Sequence, residues 1–201
     1  MRRLVLLDFD GTLINSDSLW IFLRAYAGPW FYCRMIVAAP VIAFLACLRS
    51  RSDAKRWLLS FFLRGESVER ITQCAHRVVP RLMADVSPRA RQVIEQATAR
   101  GDEVALVTAS PSIWVAPVAA RLGINTVIAT ELLFASGRFT GRLATPNCVG
   151  KEKVRRVKAH YGISRDNRDR FLITAYGDSA SDEPLLRFSN HPYLNFTPFR
   201  P

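Results

Sequence analysis

Histidine is scarce in this chain of 201 residues, and the three present, His76, His160 and His191, stand at no ligand spacing from one another. That argues against a histidine-based zinc site. It also leaves Ser110 without a paired base, so a serine nucleophile is not expected. Cysteine is sparse too. Cys33, Cys47, Cys74 and Cys148 are widely spaced with no Cys-x-x-Cys, which is neither a zinc pattern nor a disulfide framework and suits idle thiols in a reducing compartment. Acidic residues are few, 17 against 28 Lys and Arg, for a net charge of +11. No internal repeat or low-complexity linker breaks the chain. The opening Met1-Arg2-Arg3 and its apolar run imitate a signal peptide only faintly, since the run stops at Asp8.

The charge that is present is uneven. From Arg24 to Arg91 twelve basic residues face Asp53, Glu66, Glu69 and Asp85, a net of +8. Basic helical segments of this kind seek phosphates, on nucleic acid or at an anionic membrane surface. No base-reading module accompanies the charge, so no nucleic acid partner is expected. The stretch Trp30 to Leu48 is apolar apart from Arg34 and contains Pro40. Its uninterrupted part, Met35 to Leu48, is fourteen residues, short for a bilayer span. Three readings stand: a packed helix, an interfacial segment, and a span. Its basic flanks are Arg24, Arg34, Arg49, Arg51, Lys55 and Arg56.

Leu4 to Leu7 is a short apolar run that reads as a buried strand of a parallel sheet. It delivers Asp8-Phe9-Asp10-Gly11-Thr12 to the carboxyl edge, where open α/β sheets place ligands. Helical spacing then dominates residues 14–85. Gly28-Pro29 breaks a first helix, Ser52 or Asp53 caps another, and Ser67 starts a further one. From Ser87-Pro88 helices and strands alternate: strands are expected at 103–107, 126–130, 171–176 and 192–196, with a hairpin at 131–143. Ser110-Pro111 is expected to cap the helix that runs to Leu122, and a basic helix runs from Lys151 to Tyr161. Right-handed crossovers bring strand carboxyl ends to one edge, so Asp8, Asp10, Thr108 and Asp178 can converge.

Asp8, Asp10 and Asp178, with Asp182 nearby, form a hard oxygen cluster suited to Mg²⁺. The helix start after Ser110 suits a phosphate, and Lys151 in the first turn of its helix can reach inwards. Such a site fits phosphoryl transfer, with one aspartate as nucleophile and the other as acid and base.

These residues resemble the haloacid dehalogenase superfamily of phosphatases. Asp8 to Thr12 looks like its first motif, Thr108 its second, Lys151 its third, and Gly177 to Asp182 its fourth. The resemblance implies an α/β fold: a Rossmann-like core of mainly parallel sheet over 1–13 and 86–201, with an all-helical cap over 14–85. It implies Asp8 as nucleophile and Asp10 as acid/base. Mg²⁺ would be held by Asp8, the Asp10 carbonyl and Asp178, supported by Asp182. Thr108 and Lys151 would hold the phosphoryl group, and Asp17, Ala109 and Ser110 would contact substrate. Thr108 to Pro111 and Asn147 to Val154 are similar to the subfamily that includes phosphoserine phosphatase. Phe22-Leu23-Arg24, the apolar cap segment and Pro184-Leu185-Leu186 look closer to the phosphatidylglycerophosphatase C family. That implies a phospholipid phosphate substrate and an anionic membrane surface met through residues 24–64, on the cytoplasmic side. A soluble cytoplasmic enzyme for a small phosphate ester is the alternative.

Overall fold

The computed structural model describes residues 1–48 and 51–200. Strand β1, Arg2–Leu7, buries its last four residues, because apolar side chains occupy both of its faces. Four helices follow: α1 (Ser18–Ala27), α2 (Phe31–Leu48), α3 (Arg51–Leu63) and α4 (Val68–Ala84). A 3₁₀ turn at Gly28–Trp30 separates α1 from α2. Gly28, at φ +56°, ends α1 in a conformation that side chains disfavour, and Pro29 cannot continue the helical ladder. Ser67 caps α4 by accepting from Arg70 N. Helix α3 begins at Arg51, so Asp53 lies in its first turn rather than before it. The basic flank at Arg49 lies outside the described residues.

The rest alternates strand and helix: α5 (Pro88–Ala99), β2 (Glu103–Pro111), α6 (Ser112–Arg121), β3 (Thr126–Thr130), the hairpin β4 (Leu132–Ala135) and β5 (Arg138–Leu143), α7 (Lys151–Tyr161), β6 (Phe171–Gly177), α8 (Glu183–Phe188), β7 (His191–Leu194) and β8 (Thr197–Pro198). The main sheet has the order β3-β2-β1-β6-β7-β8, and every pairing is parallel except β7 with β8. The expected α/β class is therefore what the chain adopts.

Period-two alternation divides the core. Val5, Leu7, Val104 and Leu106 join one cluster with the insert helices, α5 and α6. Leu4, Leu6, Ala105 and Val107 join a second cluster with α7 and α8. The insert does not stand apart from the sheet layer: Phe22 of α1 stacks on Trp114 of α6 at 4.4 Å, and both are fully buried. Burying a side chain of that size stabilises by about 1.5–3 kcal/mol. The register matters for function. Leu7 pairs with both Leu106 and Tyr176, so β1, β2 and β6 present their carboxyl ends side by side.

Candidate active site

Asp8 leaves β1 with its N–H donating to the Tyr176 carbonyl, so the last sheet hydrogen bond fixes its backbone. The chain then turns tightly, with Leu13 N donating to Asp8 O and Ile14 N to Phe9 O. Gly11 sits at φ +73° with Asp178 against it. A Cβ there would lie 2.3 Å from Asp178 Oδ2, so only glycine lets the two loops meet. On the other side, a Cβ on Gly177 would lie 2.5 Å from Asp182 Cβ. The two glycines thus bring Asp178 and Asp182 to the first loop.

One oxygen from each of Asp8, Asp178 and Asp182 lies within 4.8 Å of the others. Lys153 closes the cluster. Its Nζ is 2.8 Å from Asp8 Oδ1 and 2.5 Å from Asp182 Oδ1, and the side chain is buried. The other Asp182 oxygen accepts from Ser179 Oγ at 2.9 Å and from the N–H groups of Asp178 and Ser179. Asp182 is thus a buried bracket that holds both the lysine and the Asp178 turn.

Asp10 belongs to a neighbouring set. Oδ1 accepts from Ser18 N at 2.7 Å, and Oδ2 accepts from Ser110 Oγ. Ser18 Oγ lies 3.2 Å from Ser110 Oγ and accepts from Trp114 Nε1 at 3.0 Å. Thr108 is buried, and its Oγ1 accepts from Ser110 N at 3.0 Å. Ala109, half-buried, lies between them. Asp17 caps α1 by accepting from Leu19 N, and its other oxygen is 2.5 Å from Lys55 Nζ on α3.

The electrostatics follow from burial. Desolvation pushes the Asp8 carboxyl up to about 6 despite the opposing Lys153 ammonium, with Asp182 and Asp10 adding to the rise. Desolvation also lifts Asp178 to about 6, with Asp8 and Asp182 adding to it. Asp10 is raised by burial and then by the Asp17 charge, against the hydrogen bonds from Ser110 and Ser18. Burial alone would lower the Lys153 ammonium, but Asp8 and Asp182 more than reverse this, so it stays charged.

Three expectations need correction. Lys151 is exposed at the first position of α7, and Lys153 occupies the cluster instead. Helical phase explains this: Lys153, Val157 and Tyr161 form the buried stripe of α7 at four-residue spacing, and Lys151 points off it. The i, i+4, i+8 row with Val157 and Tyr161 was the available signal. Second, Ser110 does not cap α6. Strand β2 continues to Pro111, which holds the cap position without a side-chain bond, and the Ser110 hydroxyl turns to Asp10. Third, the Asp10 carboxylate does not join the acid cluster but faces Ser18 and Ser110, and the carboxylate beside Asp8 and Asp178 is Asp182; this concerns the Asp10 side chain and not its carbonyl. Ser18 and Trp114 were not anticipated as site residues. All three histidines are exposed, and none belongs to the carboxylate cluster.

Residues 5–187 match the haloacid dehalogenase-like hydrolase family. Protein CicA from Caulobacter vibrioides is 34% identical over 189 residues, covering 93% of this chain and 83% of that protein. A crystal structure of a protein with unknown function from Bordetella pertussis Tohama I superposes at TM-score 0.82 with 26% identity, over 96% of this chain and 90% of that one. A phosphoserine phosphatase, solved as a phospho-aspartyl intermediate analogue, matches at TM-score 0.61 and 22% identity, covering 94% and 84%, and shares the fold. Phosphatases recur among the relatives. The chain belongs to the haloacid dehalogenase-like hydrolases.

Proposed function

We propose that the protein is a Mg²⁺-dependent phosphomonoesterase that works through an aspartyl-phosphate on Asp8, with a phospholipid phosphate as substrate. The observation that carries the reaction is the division of the first-loop carboxylates: Asp8 against Lys153 and the acid cluster, Asp10 against two serines. Environments that separate two acids separate their roles.

The donor set fits a divalent ion. Hard carboxylate oxygens converge, and burial lifts two of the acids to about 6 although Lys153 opposes the rise. Asp8 and Asp178, with the Asp10 carbonyl, would hold Mg²⁺, and Asp182 braces them through Lys153 and the Asp178 turn. When bound, the ion polarises the phosphoryl oxygens and offsets the negative charge. Asp8 Oδ1 is held by Lys153, which fixes the carboxylate and sets its cation beside the position of a transferring phosphoryl group. The other Asp8 oxygen attacks phosphorus. Asp10, whose carboxyl burial raises above its ordinary value, is placed to give a proton to the leaving oxygen and then to take one from the water that cleaves the acyl-phosphate. Ser110 and Ser18 hold Asp10 in position through both oxygens. Thr108 orients Ser110 through its backbone N–H.

The helical insert over 14–85 is proposed as the substrate-selecting cap. A groove of about 710 Å³ runs between α3 and the segment from β5 to Asn147. Leu45, Trp57 and Leu59 make part of its wall apolar, and Arg56 and Arg142 add positive charge. An apolar, basic groove suits an anionic amphiphile. A soluble phosphate ester is the second reading, favoured by the charged Asp17–Lys55 pair beside Asp10.

Phosphate release is measured from phosphatidylglycerophosphate in mixed micelles and from a panel of soluble phosphomonoesters, with Mg²⁺ and with EDTA. Expected are Mg²⁺-dependent turnover of the lipid above every soluble ester and its loss in Asp8→Asn. A soluble ester turned over far faster than the lipid selects the second reading. Full activity of Asp8→Asn overturns the mechanism.

A further inference from the structure

Among its described side chains, helix α2 turns a narrow stripe inward, with Phe31 and Ala38 buried and Met35 and Ile42 half-buried. Phe31, Met35, Ala38 and Ile42 recur at four-, three- and four-residue spacing and face the insert, where Phe31 meets Phe62 of α3 at 6.0 Å. The opposite side of a surface helix is ordinarily polar. Here it carries Tyr32, Ile36, Val37, Val41 and Phe44, and Ile36, Val37 and Phe44 are 74%, 66% and 60% exposed. Trp30, 70% exposed, stands at its amino end. Contiguous exposed apolar surface of this kind marks an interaction site.

The surrounding charge names the occupant. Between Asp17 and Asp53 the sequence has no Asp or Glu, and it has Arg24, Arg34, Arg49 and Arg51. Arg24 lies over the Tyr32 ring at 5.6 Å, and Arg34 over Phe62 at 5.6 Å, so the cations border the apolar side. Apolar side chains, exposed Trp and Tyr, and arginine without acid match the boundary of an anionic bilayer. A second copy meeting this side with its own α2 would bring the same arginines and, between Asp17 and Asp53, no acid to meet them.

The geometry also decides how deep the helix goes. A span would have to strip Phe31 and Ala38 from the insert. Pro40, inside α2, has no N–H for the Ile36 carbonyl, which suits the hydrated interface and not a lipid-exposed helix in the hydrocarbon core.

We propose that the solvent-facing side of α2 lies in the interfacial layer of an anionic bilayer, with Ile36, Val37 and Phe44 inserted and the buried stripe still packed on the insert. This deepens the lipid reading by naming its docking surface, and it rests on that reading only for its purpose. Flotation with phosphatidylglycerol–phosphatidylcholine vesicles is the test, alongside hydrolysis of soluble p-nitrophenyl phosphate by the same samples. The wild type is expected to float, to be released by alkaline carbonate, and to float less with pure phosphatidylcholine. Val37→Asp combined with Phe44→Asp is expected to weaken vesicle binding by at least a hundredfold or so, with p-nitrophenyl phosphate turnover unchanged. A wild type that does not float, a double variant that floats equally well, retention through carbonate, or a dimer that this variant dissolves would each overturn the docking. Loss of p-nitrophenyl phosphate turnover in the wild type would instead count against the phosphatase reading.

Discussion

Replacing Lys153 with methionine separates it from its neighbour Lys151 and measures what holds the site together. In the folded protein the Lys153 ammonium is the cation in direct contact with Asp8 and Asp182, at 2.8 and 2.5 Å, and all three are buried. Methionine fills much of the same volume without charge. The cost is therefore the desolvation of two carboxylates left without their partner. Breaking a buried pair from one side typically costs about 3–5 kcal/mol, and here two acids lose one cation. Part of that is recovered by proton uptake at Asp8, whose carboxyl rises further once the Lys153 ammonium no longer opposes burial. The expected loss in EDTA is about 3 kcal/mol or more by urea unfolding near neutral pH. Turnover should fall by about a hundred- to a thousandfold, as for removal of one preorganised charge from a reacting centre. Lys151→Met, at an exposed first-turn position, should stay within about 0.5 kcal/mol of the parent and retain activity. Equal effects of the two substitutions, or a stable and active Lys153→Met protein, would refute the electrostatic account of the cluster.

The same geometry yields three further expectations. Gly11→Ala places a Cβ 2.3 Å from Asp178 Oδ2 at φ +73°, so Mg²⁺ should bind at least about tenfold more weakly by titration calorimetry, from displacement of one ligand. Ser110→Ala removes a donor that lowers the Asp10 carboxyl; the descending limb of the pH–kcat/KM profile, set by Asp10 as proton donor, should move up, with kcat down on the order of tenfold. An unmoved limb would show that Ser110 does not act on Asp10. Asp8 and Asp178 near 6 lie above their unfolded range, so between about pH 4 and 6 the folded state holds protons the unfolded chain has released. Their contribution to stability therefore declines as pH rises through that window and is gone above it. Mg²⁺ should accordingly raise Tm more at about pH 7.5 than at about pH 5 in thermal scans, and equal shifts at both would contradict the protonation argument.

Fold class was legible because its signal is local and strong. Continuous apolar strands such as Leu4 to Leu7 read as two-sided burial, and Ser67, Gly28 and Gly162 punctuate helices where their side chains and dihedral angles require. Convergence of Asp8, Thr108 and Asp178 followed from parallel topology alone. What failed was phase and partner choice. Lys151 and Lys153 share one helical turn, and only the tertiary stripe with Val157 separates them. Ser110-Pro111 has the composition of a cap, yet the strand runs on and the Ser110 hydroxyl donates to the Asp10 carboxyl instead of capping a helix end. The fate of Trp30 to Leu48 could not be read from its residues, since an apolar helix is equally at home in a core or at a membrane. Only the narrowness of its buried stripe distinguishes them.

The two first-loop aspartates end in different environments for a reason that lies in the turn between them. Asp8 continues the line of β1 and so meets α7 and the β6 edge. Asp10 comes one step later, where the chain is already leaving for α1, and it meets the amino end of that helix and the end of β2. Asp10 is therefore held jointly by the core, through Ser110, and by the insert, through Ser18 N and the nearby Asp17 charge. Asp17 in turn is tied to Lys55 on α3. A displacement of the insert would change the hydrogen bonding and the field at Asp10 while leaving Lys153, Asp8 and Asp182 within the core. Lys55→Ala tests that separation. It should alter the pH profile and KM without the loss of stability caused by Lys153→Met, because an exposed pair contributes about 0–1 kcal/mol. A Lys55→Ala enzyme with an unchanged pH profile and KM would show that the insert and the acid–base residue are not coupled.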